Sequence, residues 1–142
     1  MPKVLVIDDA TVMRNSLCRL LRKEGFDTVS VGDGLEALGA VGAQPPDVIV
    51  LDLNMPHMNG LEVLERLRRN LLWRTVPVLV FSGRVDAAAA KRATELGATE
   101  VLQKATVSAA DLIDRIRALT NPPSLEAAVA AVPAAGTGGG RL

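Results

Sequence analysis

The stretch Lys3-Val4-Leu5-Val6-Ile7-Asp8-Asp9 decides the fold. Its apolar run shows no alternation, as a strand covered on both faces of a parallel sheet requires. It then stops abruptly on two acids. The same form recurs along the chain. Val48-Ile49-Val50-Leu51 ends in Asp52, Val78-Leu79-Val80-Phe81 ends in Ser82, and the weaker run Glu100-Val101-Leu102-Gln103 ends in Lys104. If these runs are parallel neighbours, three carboxylates, a hydroxyl and an ammonium meet at one carboxyl edge. Such a set suits a divalent cation and a phosphoryl group.

Helical patterns fill the intervals. Around Thr11 to Glu24, Met13, Leu17, Leu20 and Leu21 share a face, and Gly25 supplies a stop. Thr28–Val31 reads as a further strand. Asp33-Gly34-Leu35-Glu36 has capping-box spacing before a helix carrying Leu35, Leu38 and Val41. Pro45-Pro46 interrupts the chain before the strand Asp47–Leu51. Asn59 opens a helix with Leu61, Val63, Leu64 and Leu67 on its apolar side, and Trp73 falls in the loop after it. Pro77 starts the next strand, where a missing donor is tolerated. Asp86 caps an Ala-rich helix ending at Gly97. Ser108 and Asp111 open a last helix with Leu112, Ile113 and Ile116 inward.

Five strand–helix pairs predict an α/β fold: a doubly wound, five-stranded parallel sheet with helices on both faces. Ligands in such sheets bind at the strands' carboxyl ends, near the point where strand order reverses. The acids and the lysine fall at those ends. The expected division is a domain over residues 1–120 and an Ala/Pro/Gly-rich flexible tail or linker over 121–142, where Asn121-Pro122-Pro123 stops the helix.

The 142 residues are 49% hydrophobic, enough for one filled core. Lys plus Arg and Asp plus Glu balance at 16 each, so no global field attracts nucleic acid or an anionic membrane. Arg66, Arg68, Arg69 and Arg74 read as a solvated helix face. The single cysteine, Cys18, rules out an internal disulfide and reads as packing filler. Without a signal pattern or a long apolar span, a cytoplasmic location is expected. His57 reads as a surface loop residue.

Mg²⁺ favours hard oxygen ligands. Carboxylates packed without a cation repel one another and some take up protons. A carboxylate can also attack phosphorus, and the three oxygens of a phosphoryl group then need neutralising. One oxygen could face the metal, one Lys104 and one Ser82, while Gly83 leaves room for approach to backbone N–H groups. Taken singly, each residue has a plainer reading. Asp8 and Asp9 could cap a helix, Asp52 could be a turn residue, Ser82 a turn or cap hydroxyl, and Lys104 a solvated lysine. Their coincidence at one predicted edge argues against that.

With these residues in view, the chain resembles a response-regulator receiver domain of two-component signalling, of the single-domain type. The likeness rests on Val4-Leu5-Val6-Ile7-Asp8-Asp9, Asp47-Val48-Ile49-Val50-Leu51-Asp52-Leu53-Asn54-Met55-Pro56, Gly60, Ser82-Gly83 and Lys104, over residues 2 to 119. It implies a flavodoxin-like strand order 2-1-3-4-5. It also implies that Asp52 accepts phosphate from a histidine kinase or a histidine phosphotransfer protein. Asp9 then binds Mg²⁺ directly, Asp8 directly or through water, and Asp52 and the Asn54 carbonyl complete the protein ligands. Ser82 and Lys104 contact the phosphoryl oxygens, and Asn54 and Arg84 tune how long the phosphate lasts. A phosphoacceptor of this kind is not an enzyme on free substrates. It switches a downstream protein partner, with no direct contact to nucleic acid or membrane expected.

Two positions depart from the family pattern. Val101 stands three positions before Lys104, where an aromatic residue is usual. Ala105 replaces the usual proline after Lys104, where a cis bond would now cost about 3 kcal/mol. Phosphorylation is expected to move Ser82 without an aromatic rotamer switch. These departures keep a second reading open, a phosphorylation-independent scaffold with a receiver fold. A small enzyme is disfavoured. No Gly-x-Gly-x-x-Gly follows the first strand, Asp8-Asp9-Ala10 is the opposite of a hydroxyl-rich phosphate loop, and Asp52-Leu53-Asn54 lacks the second acid of Asp-x-Asp phosphatases.

Overall fold

A computed structural model describes residues 1–40 and 44–120. The elements alternate throughout: β1 (Lys3–Ile7), α1 (Thr11–Lys23), β2 (Asp27–Val31), α2 (Gly34–Gly39), β3 (Val48–Leu51), α3 (Gly60–Arg69), β4 (Val78–Ser82), α4 (Ala87–Glu95), β5 (Glu100–Gln103) and α5 (Ala109–Thr120). All strand pairs are parallel, in the order β2-β1-β3-β4-β5. Val41 and the expected tail over 121–142 lie outside the described residues.

Strand alternation divides the core into two layers, because successive side chains point to opposite faces. Val4, Val6, Val48, Val50, Leu79 and Phe81 pack with α1 and α5. Leu5, Ile7, Ile49, Leu51, Val78 and Val80 pack with α2, α3 and α4. The central strands are therefore apolar on both faces, which is why their sequences show no polar alternation. Trp73 from the loop after α3 joins the second layer and is fully buried, as is Cys18 in the first.

Two helices face the core differently from the sequence expectation. Leu35 is 64% exposed. α2 buries Gly34 and Ala37 instead. A Cβ on Gly34 would come within 2.8 Å of Val63 Cγ2, so these small residues let α2 lie directly on α3 and turn Leu35 outward. In α1 the buried set is Leu17, Cys18 and Leu21, which leaves Met13 and Leu20 about 40% exposed.

The predicted caps form. Asp33, Asn59 and Asp86 accept from the backbone N–H groups of Glu36, Glu62 and Ala89. Ser108 and Asp111 bond reciprocally. Gly25 ends α1 at φ +95°, a conformation open to glycine. No helix among the described residues is long and apolar enough to cross a membrane.

Candidate functional site at the carboxyl edge

β1 and β3 are neighbours although α1, β2 and α2 separate them in sequence, so strand order reverses at β1. Asp8 and Asp9 follow β1, and Asp52 follows β3. The register Ile7↔Leu51 brings them to the same level. Their carboxylate oxygens lie within 4.8 Å of one another, with Asp8 and Asp52 buried and Asp9 exposed. Opposite ligands of Mg²⁺ stand about 4.1 Å apart, so the cluster is close to the size of one octahedral ion.

Ser82, the last residue of β4, is fully buried beside Asp52. Its hydroxyl donates to Asp52 Oδ1 at 2.5 Å. The backbone N–H of Asn54 donates to the same oxygen at 3.1 Å. Ser82 Oγ in turn accepts from Asn54 Nδ2 at 3.1 Å and from Leu53 N at 3.4 Å. Lys104, just past β5, donates to Asp8 Oδ2 at 2.7 Å and lies 5.7 Å from the Phe81 ring centroid. This ion pair joins the ends of β1 and β5 across 96 positions. Val101, paired with Val80 across β4 and β5, packs against the α2–α3–α4 layer as a partly buried aliphatic residue.

Burial raises the pKa of Asp52 above its ordinary value of 3.8, and the nearby Asp8 charge adds to this. The Ser82 and Asn54 hydrogen bonds and the Lys104 charge act in the opposite direction without cancelling it. Three carboxylates against one ammonium give a formal local charge of about −2, which a bound divalent cation would neutralise.

The structure thus brings together Asp8, Asp9, Asp52, Ser82 and Lys104. Asn54 also enters through its amide and side chain, a contact that no local spacing marks. The Asn54 carbonyl accepts none of the hydrogen bonds formed among the described residues. Asn54 and Arg84 line one cleft of about 200 Å³ at the mouth of the site, together with Leu53, Asn59, Val85 and Asp86. His57 is exposed in a left-handed conformation, φ +69°, and joins nothing in the site. The Lys104–Ala105 peptide is trans.

Gly60 holds the loop after Asp52 in place. A Cβ there would stand 2.4 Å from the Asp52 carbonyl oxygen and 2.7 Å from Leu53 Cα, and the Gly60 N–H donates to Leu53 O at 3.0 Å. The start of α3 therefore presses on the segment that carries Asp52.

The arginine-rich segment corrects the sequence reading. Arg66 and Arg69 pair with Glu62 and Glu65 on the helix surface, as a solvated face does. Arg68 instead turns inward and donates to the carbonyls of Trp73, Val76 and Gly97. Helical spacing gave no hint of this, because the acceptors are backbone atoms of the loop just after α3 and of the turn before β5.

A family model described as "Response regulator receiver domain" matches residues 4–117. The chain belongs to this family. It is a receiver domain of two-component signalling. Among relatives, it is 41% identical over 118 residues to the transcriptional regulatory protein PrrA of Mycobacterium tuberculosis, covering 83% of this chain and 49% of the relative. It is 36% identical over 116 residues to the DNA-binding response regulator MtrA of the same species, covering 82% and 49%. The chain thus spans about half the length of the curated relatives it matches. Among solved structures, the receiver domain of Francisella response regulator 1452 is 31% identical with a TM-score of 0.77, covering 84% of this chain and 97% of that one. The Vibrio cholerae chemotaxis protein CheY4 is 29% identical with a TM-score of 0.77, covering 84% and 98%.

Proposed function

We propose that this receiver domain accepts a phosphoryl group on Asp52 from a histidine kinase or a histidine phosphotransfer protein, with Mg²⁺, and that the event switches binding of a protein partner. The observation that supports this best is the buried Asp52 carboxylate, flanked by Asp8 and Asp9 on one side and Ser82 on the other. An Asp52 carboxylate oxygen attacks phosphorus, the phosphorus–nitrogen bond of the donor phosphohistidine breaks, and its electron pair returns to the imidazole.

Asp52 Oδ1 already holds two hydrogen bonds. These fix the plane of the carboxylate before the donor arrives, which is the positioning that phosphoryl transfer depends on. Asp8, Asp9, Asp52 and the Asn54 carbonyl would hold Mg²⁺, whose charge would offset that of the phosphoryl oxygens. Lys104, released from Asp8, and Ser82, released from Asp52, would each turn to a phosphoryl oxygen. Ser82 already faces the site, so its movement is a short change of acceptor. Val101 offers no aromatic ring to follow it.

A DNA-level output is carried over from the named relatives only as a proposal. It would act through sequence or partners outside the matched stretch.

Incubation with acetyl phosphate and Mg²⁺, followed by intact-mass measurement, tests the reading. A gain of one phosphoryl group that is lost in Asp52→Asn is expected. No gain in the wild type would favour the phosphorylation-independent scaffold.

A further inference from the structure

Arg14 is a basic residue beside the acidic cluster, yet it forms no ion pair among the described residues. Its Nη1 donates to the carbonyl oxygen of Asp8 at 2.7 Å, in a partly buried bond. That carbonyl belongs to the peptide joining Asp8 to Asp9. The guanidinium also lies over Gly32 in the turn before α2, where a Cβ would stand 3.0 Å from Nη1 and 3.5 Å from Cζ. Glu36 Oε1 accepts from Gly32 N at 3.0 Å on the same turn. Arg14 therefore links α1 to two loops, the one carrying the acids and the one before α2.

Asp9 is exposed, and its carboxylate accepts no hydrogen bond from the described residues, whereas Asp8 is fixed by Ala10 N and Lys104. The helix that follows has Ala10 at its N-cap, with no side-chain cap to offer. The orientation of the Asp9 side chain therefore depends on the peptide plane before it. We propose that Arg14 is the positioning residue of the cation site: it fixes the Asp8–Asp9 peptide so that Asp9 is aimed at the ion. The inference rests on the metal reading given above.

Two effects of Arg14 on a cation oppose each other. Its charge repels the ion, while its hydrogen bond aims a ligand at it. Removing a residue that acts only as a charge would tighten binding. Removing a positioning residue weakens it, typically by about tenfold or more for groups that orient ligands.

The test is Mg²⁺ titration by calorimetry on wild type, Asp9→Asn, Arg14→Met and Arg14→Lys, with thermal melts of each in EDTA. Arg14→Met keeps the apolar stem and removes the donors. The expected result is Mg²⁺ binding about tenfold weaker in Arg14→Met, with partial rescue in Arg14→Lys and folded melts for both in EDTA. Unchanged or tighter binding in Arg14→Met would overturn the proposal while leaving the metal site standing, provided Asp9→Asn has lost binding. If Arg14→Met does not fold, Arg14→Gln, whose amide is too short to reach the Asp8 carbonyl as the guanidinium does, decides, since wild-type affinity there would overturn the proposal equally. Wild type that binds no Mg²⁺ would instead remove the metal reading, and this inference with it.

Discussion

Ser82 donates its hydroxyl proton to Asp52 Oδ1 across 2.5 Å, and its surroundings set the direction of that bond. The hydroxyl oxygen already accepts from Asn54 Nδ2 and Leu53 N, and a serine has only one proton to give. Substitution Ser82→Ala removes the donor to Asp52 and strands both N–H groups. We expect phosphorylation by acetyl phosphate to slow by roughly tenfold or more, since a hydrogen bond to a charged group contributes about 1.5–3 kcal/mol. Ser82→Thr keeps the hydroxyl and should retain most of the rate. Stopped-flow or timed mass measurement reads both. A Ser82→Ala rate equal to wild type would show that the hydroxyl has no part in the transfer.

The raised pKa of Asp52 makes a prediction about stability and pH. The folded chain binds a proton at Asp52 more readily than the unfolded chain does. The stability linked to protonated Asp52 is therefore fully present below about 3.8 and is lost as pH rises through the folded value. At neutral pH without metal, the charged carboxylate is a liability. Asp52→Asn should then melt higher than wild type in EDTA, with the gap narrowing as pH falls toward 3.8. Mg²⁺ should stabilise wild type more than the variant, and so reduce or reverse the order, because ligands add stability only where they bind. Melts at several pH values with and without Mg²⁺ check this. A variant less stable than wild type in EDTA at neutral pH would contradict it.

The sequence made the strands legible because Val4–Ile7, Val48–Leu51 and Val78–Phe81 carry no polar alternation, and their ends carry the site. A parallel edge then places Asp8, Asp9, Asp52, Ser82 and Lys104 together with little further information. The strand order itself came from the resemblance, since periodicity does not say which strands are neighbours. What stayed hidden depends on helix rotation and on backbone acceptors. Leu35 faces out because Gly34 and Ala37 allow a close helix contact. Arg14 and Arg68 bond carbonyl oxygens, which a sequence does not display. Asn54 Nδ2 reaches Ser82 across 28 positions, with no local pattern to mark it.

Gly60 predicts a defect that begins at the loop after Asp52. A Cβ at 2.4 Å from the Asp52 carbonyl oxygen meets backbone, which has no rotamer to yield. Gly60→Ala should cost about 1–3 kcal/mol in urea unfolding, the usual range for overpacking. Helix propensity would, if anything, favour alanine at this first helical position, so a net loss isolates the steric term. Displacement of the loop should also slow phosphorylation of the molecules that remain folded. A variant as stable as wild type would mean that α3 can shift without cost.

Arg68 gives a prediction remote from the site. One guanidinium spans three carbonyls, Trp73 O at 3.3 Å, Val76 O at 2.8 Å and Gly97 O at 2.7 Å. Gly97, at φ +101°, leaves the space, since a Cβ there would stand 2.8 Å from Arg68 Nε. The contact ties the loop before β4 to the turn before β5, the two strands that deliver Ser82 and Lys104. Arg68→Ala takes the donor from Val76 O and Gly97 O, while Trp73 O keeps Val76 N, and should cost about 1.5–3 kcal/mol. Arg68→Lys keeps the charge but lacks the planar fork, so it should recover only part of this. The site itself keeps all its groups. Mg²⁺ affinity at a temperature where both variants are folded should therefore stay close to wild type while their unfolding midpoints fall. A fall in Mg²⁺ affinity as large as that expected for Arg14→Met would show instead that the two loops transmit to the carboxyl edge.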